Sequence, residues 1–282
     1  MTAADERPLP MPTPEHFRYE ERDRVGIVTL DRPDRLNALT FAVYRELADF
    51  FAVVGRRTLD PSGTGARALV LQGAGKGFCS GGDVEDIIGR LFERDAEGLL
   101  RFTRMTGELI EAMRLCPLPI VASVKRVAAG AGAVMALASD VRIVGRRAFF
   151  AFLFPQVGLS GADMGASYLL PRVVGLGHAT RILMTGERVD AETSHRIGLA
   201  TEVVDDDPPE AVDRAAFDFA KRLADGPHFA LRMTKTMLQK ELDMPLPQAI
   251  EAEAQAQAIC MQHPDFQEAH AAWREKRPPR WR

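Results

Sequence analysis

The stretch GAGKGFCSGGD, Gly73 to Asp83, follows the apolar run Ala68 to Leu71 and leads into Val84 to Ile88. A strand that breaks into glycines and restarts as a helix leaves backbone N–H groups unpaired at the break. Glycines let a ligand come close to the backbone, and a helix start adds the positive end of its dipole, so such a turn suits an anion or a developing oxyanion. A capped surface loop would use the same residue types. The neighbouring segments have to separate the two readings.

Upstream, Arg24 to Leu30 reads as a strand, and Asp31-Arg32-Pro33-Asp34 breaks it into a turn. Thr40 can cap a helix from Phe41 to Val54, where Tyr44, Leu47, Phe51 and Val54 recur at the spacing of one buried face. Pro61-Ser62-Gly63 then breaks the chain before the strand at Ala68. Downstream, a helix from about Leu99 to Leu115 carries a stripe of Phe102, Met105, Leu109 and Met113 and is stopped by Cys116-Pro117-Leu118-Pro119.

Ile120 to Val124 is a nearly all-apolar strand of the kind buried on both faces. It runs into AAGAGAVMALAS, Ala128 to Ser139, a helix of such small residues that packed backbone or a ligand must come very close to it; Asp140 ends it. Strands at Val141 to Val144 and Ala148 to Ala151 precede a glycine-punctuated loop and a helix starting near Met164. Beyond His178 the reading is helical at Ala179 to Met184, Ala191 to Arg196, Ala211 to Leu223, Ala230 to Lys240 and Leu246 to Met261, with a short strand at Glu202 to Val204. Alternating strands and helices followed by helices alone predict an α/β unit over residues 17–205 and a helical segment over 206–282. The polar, proline-rich residues 1–16 read as a mobile lead-in.

The chain has 282 residues, 46% hydrophobic and 27% charged, values of an ordinary globular protein. No apolar run reaches the roughly 18 residues of a spanning helix, so no membrane partner is expected. The amino terminus matches neither a signal nor a transit peptide. Three cysteines, Cys79, Cys116 and Cys260, lie far apart without a CxxC pair, which argues against a disulfide frame or a zinc site and for a reducing cytoplasm. The six histidines show no HxxxH or HxE pairing, and His178 and His195 read as surface or helix-end residues. A net charge of −3 excludes a general nucleic-acid binder.

Two nucleotide motifs fail. A phosphate loop needs Ser or Thr after its lysine and glycine five before, but Gly77 follows Lys76 and Leu71 sits five before. A dinucleotide fingerprint at Gly130-Ala131-Gly132 would need a third glycine where Met135 stands and an acid near Phe150. What remains is two strand-to-helix turns, near Gly82 and near Ala131, each offering backbone N–H groups. Two such donors converging on one point stabilise a thioester oxyanion.

The segments FCSGGD, the small-residue helix ending at Asp140, GLSGADMGASYLLPRVVG and LMTGERVDAETSHRIGLATEVV, in this order, closely resemble the crotonase family, the enoyl-CoA hydratases and isomerases. The resemblance runs from about Arg24 to the carboxyl terminus. It implies an α/β spiral of repeated ββα units, a helical C-terminal segment, and assembly into trimers or pairs of trimers. It implies an acyl-CoA thioester as substrate, coenzyme A being carried on that substrate with no metal or redox cofactor. The oxyanion donors would be Gly82 and Ala131. Ala38 and Ser80 would hold the adenine end of coenzyme A, and Leu36, Gly81, Asp83, Val84 and Gly132 fall at neighbouring substrate-binding positions. Basic residues of the C-terminal WREKRPPRWR, Lys276 among them, would approach the coenzyme phosphates, unless this charge run is only a solvated tail.

The departures from the family carry as much information. Its hydratases place two glutamates around a water; here one position is Val134 and the other falls on Phe154 or Pro155, none of which moves a proton. Lys125-Arg126 stand where the family commonly has Asn-Gly. Asp163 matches the acid/base aspartate of dienoyl-CoA isomerases, although an aspartate here could also cap the helix that follows. Glu85 and Asp86 are alternatives better read as a solvated helix face, and Cys79 is better read as a buried filler than a nucleophile. Single-carboxylate chemistry such as double-bond isomerisation is therefore expected ahead of two-glutamate hydration. Hydration with a non-standard acid, or a binding subunit that has lost catalysis, are the alternatives.

Overall fold

The structure, a computed structural model, describes residues 12–57 and 65–282. Residues 1–11 of the expected lead-in and the break at Pro61-Ser62-Gly63 lie outside the described residues. Six strands form the main sheet in the order β1 (Phe17–Arg22), β2 (Val25–Leu30), β3 (Ala68–Gly73), β4 (Ile120–Val124), β6 (Val141–Gly145) and β9 (Glu202–Val204). Every adjacent pair is parallel except β1 and β2, a hairpin turned through Asp23 and Arg24, both at positive φ. Sequence reading begins this hairpin one strand late. FRYEER buries only Phe17, so an edge strand of this kind carries almost no apolar alternation.

A smaller sheet orders β5 (Val127–Ala129), β7 (Phe149–Ala151) and β8 (Arg188–Asp190), and single bridges Cys79–Ala128 and Leu39–Gly82 continue it. The chain therefore coils. β2 leads through Leu39 to α1 (Phe41–Arg57), and β3 through Cys79 and Gly82 to α2 (Ala96–Leu115); β4 leads through β5 to α3 (Ala131–Ala138), and β6 through β7 to α4 (Ala166–Val174). Each turn deposits one piece in each sheet and one helix, the ββα spiral expected from the resemblance. Several boundaries differ from the sequence reading, and the strand Arg188–Asp190 and the helix Pro264–Glu275 have no counterpart in it. Residues 127–129 are strand, so the small-residue helix begins only at Ala131; α4 begins at Ala166 rather than near Met164; and Val84–Gly89 is a wide π-type turn instead of a regular helix.

The main core lies between the sheet and α1 to α4, with Phe50, Phe51, Leu47, Leu109 and Met113 sealed from solvent. The opposite face of the sheet is covered by α7 (Glu210–Ala224). Its Val212, Ala216, Ala220 and Ala224 lie four residues apart and press on Val25, Ile27, Val70 and Val121. Small side chains at that spacing let helix and sheet approach closely, so the first C-terminal helix is part of the α/β body. Lys125 strengthens the link: its buried ammonium donates to Asp213 at 2.7 Å, and Ser123 donates to the same carboxylate at 2.6 Å. Between β6 and α7, α5 (Leu176–Thr185) and α6 (Ala191–Arg196) flank β8. The chain ends in α8 (His228–Lys240), α9 (Leu246–Gln262) and α10 (Pro264–Glu275). No helix of the described residues is long and apolar enough to cross a membrane.

Candidate active site

The two glycine turns meet. Cys79 N–H donates to the Val127 carbonyl at 3.0 Å and Ala129 N–H to the Cys79 carbonyl at 2.9 Å, which ties the first turn to the strand that opens the second. Gly81, at φ +103°, lies so close to the second turn that a Cβ on it would stand 3.0 Å from the Ala129 carbonyl and 3.5 Å from Gly130 Cα. A Cβ on Gly132 would stand 2.4 Å from the Cys79 carbonyl, a distance backbone atoms cannot accommodate. Small residues are needed here because backbone packs on backbone.

The same arrangement leaves two donors unspent. Leu39 N–H donates to Gly81 O and Asp83 N–H donates to Leu39 O, at 2.8 and 2.9 Å, so ladder alternation turns the N–H of Gly82 to the other side. Ala131 opens α3, where the first N–H groups have no partner within the helix. Among the described residues neither Gly82 N–H nor Ala131 N–H has a hydrogen-bond acceptor.

Asn37 fixes the first turn, and sequence reading passes over it. Buried at positive φ, its amide donates to Ala74 O at 2.9 Å and Gly77 O at 3.0 Å while its carbonyl accepts Arg32 N–H at 3.0 Å. An Asn between a turn and a helix is the available signal: its short amide tolerates the left-handed conformation and can bond nearby backbone. Asp83, expected to touch ligand, instead supports the turn. Its buried carboxylate accepts the N–H groups of Glu85 and Asp86 and meets Arg32 at 3.0 Å, and these contacts, the Asp86 N–H first, hold it below the usual carboxylate range. Cys79 donates its S–H to Asn37 O at 3.2 Å, and burial pushes the thiol up to about 12, so it stays protonated as a filler.

Asp163 stands on the other wall, in the loop before α4. It does not cap that helix with its side chain: the cap position is Gly165 and no side-chain bond is made there. The carboxyl is half-buried, and burial raises it above the ordinary aspartate range, opposed only by the neighbouring Met164 N–H. Met164 itself sits at positive φ, between Asp163 and the start of the helix. Val134 is sealed in α3 and Phe154 is buried in a short 3₁₀ turn, Phe154–Val157, that also contains Pro155. Glu85 and Asp86 face outward to Arg35 at 2.9 Å and Arg32 at 3.6 Å.

Leu36 and Ser80 line a cavity of about 390 Å³ with Lys76, Ala129, Arg126 and Arg188. Arg126, at φ +47°, holds the left-handed position that the family's glycine would occupy, and so adds a cation to this wall. Ala38 is buried, and its carbonyl accepts the Arg32 guanidinium at 2.7 Å; Val84 is exposed at the start of the π-type turn. Lys276 ends α10 in the left-handed conformation, exposed, while the following Arg277 folds back on Glu268 and Glu275. The described contacts do not bring Lys276 to either glycine turn.

A two-layer ββα spiral with two converging glycine turns defines a crotonase fold. The model of the enoyl-CoA hydratase/isomerase family matches residues 20–282, and the chain belongs to that family of enzymes. It is 39% identical over 266 residues to a probable enoyl-CoA hydratase of Rhodobacter capsulatus, covering 93% of this chain and 96% of that one. It is 32% identical over 257 residues to the 1,2-epoxyphenylacetyl-CoA isomerase of Escherichia coli, covering 91% and 94%. Among solved structures, a provisionally named enoyl-CoA hydratase from Streptomyces coelicolor A3(2) superposes with a TM-score of 0.93 at 52% identity, covering 100% and 99%.

Proposed function

We propose that the chain binds an acyl-CoA thioester with its carbonyl oxygen on the N–H groups of Gly82 and Ala131, and that Asp163 moves a proton on the resulting enolate. The observation that carries this reading is the back-to-back packing of the two turns, which leaves both donors unspent and brings them together. Fixed backbone dipoles of this kind favour charge that develops on the oxygen and need no reorganisation as it forms.

With one carboxylate, the economical reaction is double-bond migration. Asp163 takes a proton from the carbon next to the carbonyl, and the electron pair moves onto the thioester oxygen. The same carboxyl then returns the proton two carbons further along as the double bond re-forms in conjugation. No atom is gained or lost. Hydration would call for a second group to place and activate water, and Val134, Phe154 and Pro155 supply none. The cavity lined by Leu36, Lys76, Ser80, Arg126 and Arg188 suits the coenzyme end, its cations offsetting phosphate charge in a chain that is acidic overall. Leu238, Leu246, Ile250, Ile259, Met261 and Phe266 are exposed on the last three helices, which supports their burial between subunits of a trimer or pair of trimers.

The test is a panel of enoyl-CoA esters, conjugated and unconjugated, incubated with the protein and analysed by mass spectrometry and absorbance. Isomerisation without a mass change is expected, with water addition to crotonyl-CoA slower by about 10² or more. Rapid gain of one water would overturn the single-carboxylate reading. Binding without any turnover across the panel would favour a lapsed binding subunit.

A further inference from the structure

Tyr44 belongs to the buried stripe of α1, yet one end of it does not behave as core. The residue is 3% exposed, and its ring is held edge-on to Phe102 of α2, with centroids 6.2 Å apart at 90°. Its hydroxyl makes no hydrogen bond among the described residues, and it is absent from their fully enclosed, unpartnered polar atoms. The hydroxyl oxygen is therefore not fully enclosed. It lies against the oxyanion turn: a Cβ on Gly82 would lie 3.7 Å from the Tyr44 hydroxyl oxygen and 3.7 Å from Ile87 Cγ2. The Asp163 carboxylate is near enough to act on the phenol through its charge.

A phenol beside an oxyanion donor, without a partner of its own, leaves a donor for the ligand to satisfy. Burial, reinforced by the charge of Asp163, raises its ionisation well above the ordinary tyrosine value, so it remains a donor throughout the working pH range. A plain hydrocarbon chain would leave this O–H unpaired once water is excluded, whereas an oxygen on the chain would accept it. Sites that offer a fixed donor discriminate strongly against ligands lacking the acceptor, because the donor is then stranded.

We propose that Tyr44 is a specificity-determining residue, its hydroxyl donating a hydrogen bond to an oxygen substituent on the second or third carbon of the acyl group. Acyl-CoA esters oxygenated near the thioester are thus favoured over plain ones. This inference rests on the thioester pocket proposed above and deepens it.

The experiment is calorimetric titration of the wild type and Tyr44→Phe with butyryl-CoA, 2-hydroxybutyryl-CoA and 3-hydroxybutyryl-CoA. The phenylalanine keeps the ring packing, and circular dichroism checks the fold. The wild type should bind the better hydroxylated ester about tenfold more tightly than butyryl-CoA, the worth of one net hydrogen bond. Tyr44→Phe should lose that preference while its affinity for butyryl-CoA stays within about twofold. A preference that survives the substitution, a wild type that shows none, or an equal loss for all three esters would overturn the role of Tyr44. Failure of every ester to bind the wild type would overturn the thioester pocket, and the Tyr44 assignment with it. Butyryl-CoA binding without preference would leave the pocket standing and remove only Tyr44.

Discussion

The two walls of the candidate site are built on different terms. On one, Gly81, Gly130 and Gly132 are locked by backbone pressed on backbone, with Cys79 and Leu39 supplying hydrogen bonds on either side. On the other, Asp163 stands in a loop whose shape rests on Met164 and Gly165 at positive φ, and its carboxyl has only the Met164 N–H for company. The first wall is over-determined and tolerates little change. The second is a place where one side chain can be exchanged without disturbing the turns. On the proposed function, the difference teaches where reaction type is set: thioester recognition lies in the backbone, and the fate of the enolate in the acid on the second wall, Val134 presenting none.

The contrast can be broken most severely at Gly132. Gly132→Ala would force a Cβ to within 2.4 Å of the Cys79 carbonyl and push the turns apart. Turnover should fall by about 10²- to 10³-fold, the effect of losing one oxyanion donor, measured as initial rate on any ester the wild type converts. Retained activity would show that the turns need not touch. Next in size is Asn37→Ala, which strands Gly77 O, Ala74 O and Arg32 N. A loss of about 2–3 kcal/mol in urea unfolding is expected, from net bonds near 1 kcal/mol each; less than about 0.5 kcal/mol would mean that the turn holds without its anchor.

The second wall should respond in the opposite direction. A carboxyl whose folded-state ionisation lies above its unfolded value favours folding when protonated, so ionised Asp163 destabilises the protein at neutral pH. Asp163→Asn should therefore melt no lower than the wild type at pH 7, and lose any advantage as the pH falls below the ordinary aspartate range. A lower melting point at pH 7 would mark Asp163 as structural. The same raised ionisation makes wild-type turnover fall on the acid side as the carboxylate takes up its proton. The smallest effect belongs to Cys79. With the thiol held at about 12, Cys79→Ser should keep turnover within about twofold, and iodoacetamide should leave the folded protein active. Rapid inactivation by the reagent would contradict the filler role.

Much of the first wall was legible in the sequence because its cause is local. Glycines spaced through Gly73 to Asp83, and small residues through Ala128 to Ser139, announce close approach without saying what approaches. Only the fold shows that each turn is the other's neighbour. Val127 to Ala129 escaped as a strand because three residues give no period, and small residues on both sides read as one helix. Tyr44 was visible as a member of an apolar stripe, but periodicity places a ring on a face and cannot say that its hydroxyl comes up against Gly82. Asp83 was placed near the substrate by resemblance alone, and only the fold shows that its carboxylate caps Glu85 and Asp86 and pairs with Arg32. The role of α7 was hidden because its alanines match a solvated helix as well as one pressed on a sheet.

The central claim is that a single carboxylate acts on a thioester held by two backbone turns. It is tested most directly with 3-hexenoyl-CoA, comparing the wild type and Asp163→Asn for affinity and for formation of the conjugated isomer. The account predicts isomerisation by the wild type, a rate lower by about 10² or more in the variant, and affinities that agree within a few-fold. A variant that isomerises the ester as fast as the wild type would contradict it.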